Sequence, residues 1–191
     1  MPGDDKDSLV ERIYEAAFIP DVWPAVLDEL SALTDSAGGA VLALAARQAP
    51  RWAASAVVAP HLERFVAGGA WKTNERARRW TQASHQGFLR DIDLFSVEIG
   101  TNGTIPDKIQ THGLGWQLGT VVPMPSGEAV VFSLERHRVD GPHSPGIADR
   151  IDPFRPHLAR VGLLAARLGM ERARTAVETL AALGLPAAVL T

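Results

Sequence analysis

The sequence has no cysteine, which excludes both a disulfide framework and a thiolate metal site and suits a reducing compartment. Long apolar runs are missing too. The longest, around Ala40–Ala46, is far shorter than the about 20 residues needed to span a bilayer. The start, Met1-Pro-Gly-Asp-Asp-Lys-Asp7, is acidic and polar where a secretory signal needs a basic start and then an apolar stretch. Nor is there an excess of positive charge: 19 Lys and Arg stand against 22 Asp and Glu, for a formal net charge of -3. That balance argues against this stretch gripping DNA by itself, because phosphate neutralisation needs a clustered positive face. The expectation is a cytoplasmic protein with no membrane partner.

Catalytic signatures are equally scarce. None of the six histidines, His61, His85, His112, His137, His143 and His157, forms a pair at ligand spacing on one helix face. No nucleophile elbow, phosphate-binding loop or dinucleotide fingerprint is present. Gly113-Leu-Gly-Trp-Gln-Leu-Gly119 is glycine-rich, but it leads into a strand rather than opening a helix, so it suits a bulged strand better than a phosphate cradle. Arg76-Ala-Arg78-Arg79, the basic cluster, lies beside Glu75 and reads as a solvated helix face, with an anion site as the alternative. Asp91-Ile-Asp93 reads as a capping pair opening a short helix at Leu94; acid–base chemistry there would require burial to shift a pKa. No enzyme, metal or cofactor is expected.

What is present is a chain of 191 residues, 46% hydrophobic and 21% charged, suited to one globular domain with or without a docking element. Ser8-Leu-Val-Glu11 predicts a capped amphipathic helix carrying Leu9 and Ile13 on one face. Pro20 ends it, and Asp21 opens a second with Trp23, Val26, Leu27, Leu30 and Leu33 at helical spacing. Ala40–Ala46 and Trp52–Val58 predict two paired strands. Pro60 opens a helix with Leu62, Phe65 and Val66 inward, and a charged helix spans Asn74–Gln82. A short helix follows Pro106. Trp116–Pro123 and Ala129–Arg138 predict a hairpin around Pro125-Ser-Gly127; Val130, Phe132 and Leu134 alternate with Val131, Ser133 and Glu135, as in a half-buried strand.

From Pro145 the pattern is helical to about Leu183, with Pro153 and Pro156 splitting it. Beyond them runs an apolar stripe that includes Val161, Leu164, Leu168, Val177 and Leu180. A protruding helix with such a stripe predicts a homodimer. Leu185-Pro-Ala-Ala-Val-Leu190 begins another apolar strand. The order of elements predicts an α+β fold, an antiparallel sheet flanked by helices with a long C-terminal helix. It divides into 1–156 as a sensor-like domain, 157–183 as the connecting and dimerisation helix, and 184–191 as the start of a following domain.

The five tryptophans outnumber the single tyrosine. Trp71 and Trp80 flank the charged helix, with Phe65, Phe88 and Phe95 near in sequence and Trp116 on the opposite strand. Core packing accounts for such residues; the same set, with Asp91 and Leu118, could line a small apolar pocket. The candidate ligand-binding residues are Phe65, Trp71, Trp80, Phe88, Asp91, Trp116 and Leu118.

Four segments resemble a known family. Leu9-Val-Glu-Arg-Ile-Tyr-Glu-Ala-Ala17 followed by Pro20-Asp-Val-Trp-Pro-Ala-Val-Leu27 resembles the N-terminus of bacterial LuxR-type helix-turn-helix transcriptional regulators. His112-Gly-Leu-Gly-Trp-Gln-Leu-Gly119 ahead of a hairpin and Pro156-His-Leu-Ala-Arg160 leading the long helix are similar as well. Leu183-Gly-Leu-Pro-Ala-Ala-Val-Leu190 resembles the point where a PAS-like segment begins. The resemblance implies a GAF- or PAS-like sensor domain that takes a small apolar ligand and reaches DNA only through a C-terminal domain beyond Thr191. In the acyl-homoserine-lactone-binding branch an aromatic–aspartate signature lines the pocket. Trp71, Asp91 and Trp116 stand in for part of it, but no tyrosine lies between them, so that signal is not expected. The alternatives are a ligand-free interaction module of the same fold and, with least support, an enzyme built on Asp91, Asp93 and the histidines.

Overall fold

The structure, a computed structural model, describes residues 3–45, 48–95, 114–125 and 127–185. Helix α1 spans Gly3–Glu15, so it begins ahead of the Ser8 start that the capping pattern predicts. Asp5, in the first turn, suits the positive end of a helix dipole and lets the helix start early. A 3-10 turn at Pro20–Val22 leads into α2, Trp23–Ala32, which buries Trp23, Val26, Leu27 and Leu30. That is the apolar stripe read from the sequence.

Strands β1 (Gly38–Leu44) and β2 (Arg51–Ala54) follow, the second shorter than the Trp52–Val58 expected. The Ser55 hydroxyl accepts from the Gly39 N–H at 3.0 Å, and the backbone turns after it into α3, Ala59–Ala67. Helix α4, Glu75–Ala83, is capped by Asn74, whose side chain accepts from the Ala77 N–H. A two-residue strand β3, Leu89–Arg90, runs directly into the four-residue helix α5, Asp91–Leu94.

Strands β4 (Leu114–Pro123) and β5 (Ala129–His137) make the predicted hairpin. After α6, Ile147–Ile151, and a 3-10 turn at Asp152–Phe154, the chain closes with α7, Arg155–Ala182. Pro153 and Pro156 fall at this junction, where a missing N–H is tolerated. The short helix expected after Pro106 and the apolar run at 186–190 lie outside the described residues.

The five strands form one antiparallel sheet in the order β2-β1-β5-β4-β3. Both faces are covered, so the fold is α+β with the sheet in the middle. On one face Gly39, Val41, Leu118, Val130, Phe132 and Leu134 meet residues of α1, α2, α6 and the start of α7, among them Ile13, Leu27, Ile151 and Leu158. On the other, Ala40, Leu42, Leu114 and Val131 meet Val58, Leu62 and Phe65 around α3. The sequence reading of β5 as half-buried is therefore corrected: Val131, Ser133 and Glu135 are also buried. Alternation gives the two faces of a strand but not what covers each.

Two ties fix the layers to the sheet. The Phe88 N–H donates to Asp152 Oδ1 at 2.7 Å, binding the run into β3 to the α6–α7 junction. Arg155 Nε donates to Thr120 Oγ1 at 2.9 Å, setting the base of α7 against β4. Among the described residues no helix is long and apolar enough to cross a membrane.

A candidate ligand cavity

Between the sheet and the α3–α4 layer lies a cavity of ≈ 90 Å³, room for several waters or a small organic group. Its apolar wall comes from β1 (Ala40, Leu42, Leu44), β5 (Val131) and α3 (Leu62, Phe65), closed by Trp71 and Trp80. Trp71 carries Lys72 Nζ over its ring at 5.6 Å. The strand alternation that sends Phe132 and Leu134 to one helix layer sends Ser133 and Glu135 into this cavity, beside Gln117 of β4.

The polar floor is built in steps. Arg76, one turn before Trp80 on α4, is 2% exposed and its partner Asp91 is 1% exposed. Arg76 Nε donates to Asp91 Oδ1 at 3.1 Å and Nη2 to Oδ2 at 2.7 Å, with a further bond from Nη2 to the Gly115 carbonyl. The Gln117 N–H donates to the same Asp91 Oδ2 at 2.8 Å. Gln117 Nε2 then donates to Glu135 Oε1 at 2.6 Å. Thus α4, α5, β4 and β5 are joined by one chain of hydrogen bonds beneath the cavity.

Among the described residues, three polar atoms of that cavity are buried without a partner: Trp80 Nε1, Gln117 Oε1 and Glu135 Oε2. Buried polar groups are normally satisfied, and each one left open costs about 1–3 kcal/mol. Burial pushes the Glu135 carboxyl up to about 7, with Arg76 opposing and Asp91 adding to the rise. Burial also raises Asp91, which the Arg76 charge, its hydrogen bonds and the Gln117 N–H oppose.

Of the expected pocket residues, Phe65, Trp71 and Trp80 line this cavity. Phe88 and Leu118 are buried in the core on the opposite face of the sheet. Trp116 packs against Phe95 and donates from Nε1 to the Arg138 carbonyl at 3.3 Å, while Asp91 supports the floor from behind Arg76. Arg76 corrects the solvated-face reading of its cluster. Of the Asp91–Asp93 pair, Asp93 does cap α5, accepting from the Arg90 N–H at 3.2 Å, while Asp91 is buried against Arg76. Each is buried because the other is there. The helical signal was available, since Arg76 and Trp80 are four residues apart and share a face. Gln117, Ser133 and Glu135 were not singled out, because polar residues on a strand read as solvent-facing.

The residues expected at a dimer interface divide along α7. Val161 is fully buried in this chain's own core, and Leu164 packs on its margin. Leu168 and Val177 are half-buried, and Leu180 is exposed together with Leu163. Among the described residues no group of three or more His, Cys, Asp or Glu is arranged to hold a metal ion.

Solved structures of other proteins resemble this fold. The chain shares its fold with the LBD domain of VqsR from Pseudomonas aeruginosa, with a TM-score of 0.58 at 11% identity over 86% of this chain and 98% of that one. Lower scores are found with the N-acylhomoserine lactone dependent LuxR family transcription factor CepR2 from Burkholderia cenocepacia (0.48; 13% identity over 83% and 92%). The same holds for SdiA from Escherichia coli (0.49; 16% identity over 82% and 62%). The fold assignment rests on VqsR. No protein-family model and no curated protein matches the sequence.

Proposed function

We propose that this chain is the signal-input domain of a LuxR-type transcriptional regulator, taking a small, largely apolar ligand in the cavity between β1, β5, α3 and α4. The observation that carries the reading is the cavity itself: aromatic walls over a floor where Trp80 Nε1, Gln117 Oε1 and Glu135 Oε2 are buried and unpartnered. A filled structural core would have no reason to leave three such atoms open. The chain is no enzyme in this reading. Its work is to couple occupancy of the cavity to the setting of α7, which would pass the signal to a DNA-binding domain beyond Thr191.

At 28 residues α7 is about 42 Å long, and its later turns would pair with those of a second copy. The dimer surface then draws on Leu168, Val177 and Leu180, with Leu163 and Leu164 at its near edge.

The test is a thermal-shift and tryptophan-fluorescence titration with small amphiphiles, comparing the wild type with Ala77→Leu, which fills the cavity from α4. Ligands that stabilise the wild type by mass action and fail to stabilise Ala77→Leu support the reading. Stabilisation that is indifferent to the substitution, or no stabilisation by any amphiphile, leaves the ligand-free interaction module as the better account.

A further inference from the structure

Among the described residues of the floor, Glu135 is a second acid beside one paired cation, Arg76. Asp91 takes the bidentate contact of Arg76, whose Nη2 also reaches the Gly115 carbonyl. The Glu135 carboxyl is met through Oε1 by an uncharged donor, Gln117 Nε2, and its Oε2 is unpartnered. Two of the three open atoms in the cavity, Glu135 Oε2 and Gln117 Oε1, accept hydrogen bonds, and the third, Trp80 Nε1, donates. A head group that only accepts would leave the two oxygens unsatisfied. One rich in N–H donors would satisfy both.

We propose that the cavity takes a small amine, its ammonium head donating to Glu135 Oε2 and Gln117 Oε1 and its short apolar body lying against Leu42, Phe65 and Trp71. This rests on the ligand-sensing reading above and deepens it. The ammonium supplies the positive charge that matches the second carboxylate, and charge-assisted bonds of this kind are the stronger ones in a dry site. The aromatic wall is compatible with a cation, whose charge is attracted to the face of an indole or phenyl ring. Trp80 Nε1 remains for an acceptor next to the amine.

The charged groups facing Glu135 are Arg76 of α4 and Asp91 of α5; Ser133 of its own strand and Gln117 of β4 are its neutral partners. His61 of α3 is a further titratable group in the cavity wall. With the Glu135 carboxyl at about 7, the empty site is largely protonated at pH 6 and largely ionised at pH 8. An alkylamine remains a cation across that range, so its binding strengthens as the pH rises.

The experiment titrates the full chain with hexylamine, hexan-1-ol and hexanamide at pH 6 and pH 8, reading thermal shift and tryptophan emission, in the wild type and Glu135→Gln. Hexylamine is expected to bind the wild type at pH 8 roughly tenfold tighter than the alcohol or the amide. The advantage should shrink at pH 6 and disappear in Glu135→Gln, which keeps the shape of the side chain and loses its charge. If the alcohol or amide binds as well as the amine, or if Glu135→Gln keeps the preference, the amine assignment is overturned and the ligand-sensing reading stands. If none of the three probes binds, the amine assignment is overturned; titration of the wider amphiphile set against Ala77→Leu then decides the sensing reading separately.

Discussion

Arg76 Nη2 lies 2.7 Å from Asp91 Oδ2, and the two side chains are only 2% and 1% exposed. The pair joins α4 to α5 and, through the Gln117 N–H, to β4. It holds the polar floor of the cavity without being part of its wall at Asp91. Asp91 is thus a support from behind, while Arg76, Gln117 and Glu135 line the cavity.

Removing one member should be far more damaging than removing both. Asp91→Ala removes the carboxylate that takes the bidentate contact of a buried guanidinium and is expected to cost about 3–5 kcal/mol. The double variant Arg76→Met with Asp91→Leu should cost much less than the sum of its singles. A double-mutant cycle by urea unfolding checks this. A loss below about 1 kcal/mol for Asp91→Ala, in the range of exposed pairs, would mean the pair does not hold the floor.

How much of this was legible before the structure depends on how local each signal is. Trp23, Val26, Leu27 and Leu30 recur at helical spacing, and all face the core. The Pro125-Ser-Gly127 turn between two β-rich runs gave the β4–β5 hairpin, since both features lie within a few residues of each other. Strand β3 is only Leu89 and Arg90; two residues carry no periodicity, and the strand exists because Leu118 and Gly119 pair with it. The Arg76–Asp91 pair spans 15 positions, and a charged helix looks solvated until its partner is known. The cavity was legible only in its aromatic half. Its polar half depends on which layer covers each face of β5, and that is settled by the crossing of distant elements.

Acid and base should pull the stability in opposite directions. A carboxyl held above its ordinary value favours the folded state while protonated. The Glu135 contribution is therefore fully present below about pH 4.5 and lost as the pH rises through about 7. His143, pushed down from 6.5 to about 4 mainly by burial, with Arg136 and Arg90 nearby, works the other way. Its contribution is present above 6.5 and lost as the pH falls through 4. Glu135→Gln should accordingly be more stable than the wild type at pH 8, by on the order of 3 kcal/mol, and nearly equal to it at pH 4. The acid lability should remain in Glu135→Gln and weaken in His143→Gln. Urea midpoints across pH read both effects, and a flat difference between wild type and Glu135→Gln overturns the first.

The dimer is best tested where α7 no longer serves its own core. Val161 is fully buried within the chain, so changing it would confound assembly with folding. Val177→Glu with Leu180→Glu touches half-buried and exposed positions. Sedimentation of the wild type should show a concentration-dependent dimer and the double variant a monomer with unchanged helix content. If the two chains sediment alike, α7 is not the interface.

Two glycine-to-alanine changes separate the cavity from the core by the sort of neighbour each new methyl meets. At Gly119 a Cβ would stand 3.0 Å from Trp80 Cζ2 and 3.1 Å from the Phe132 carbonyl. The carbonyl belongs to the paired strand β5 and resists movement, so the indole must tilt within the cavity it lines. Gly119→Ala is therefore expected to cost about 1–3 kcal/mol, shift the tryptophan emission and weaken ligand binding. At Gly162 the tightest neighbour is Met124 Cε at 3.1 Å, the free end of a flexible side chain. There the helix gains up to about 1 kcal/mol from replacing glycine by alanine, and the methionine can swing aside. Gly162→Ala should be neutral or stabilising and leave binding unchanged. Urea unfolding and ligand titration of both variants test the contrast. Equal effects on binding would mean that the Trp80 indole does not shape the cavity.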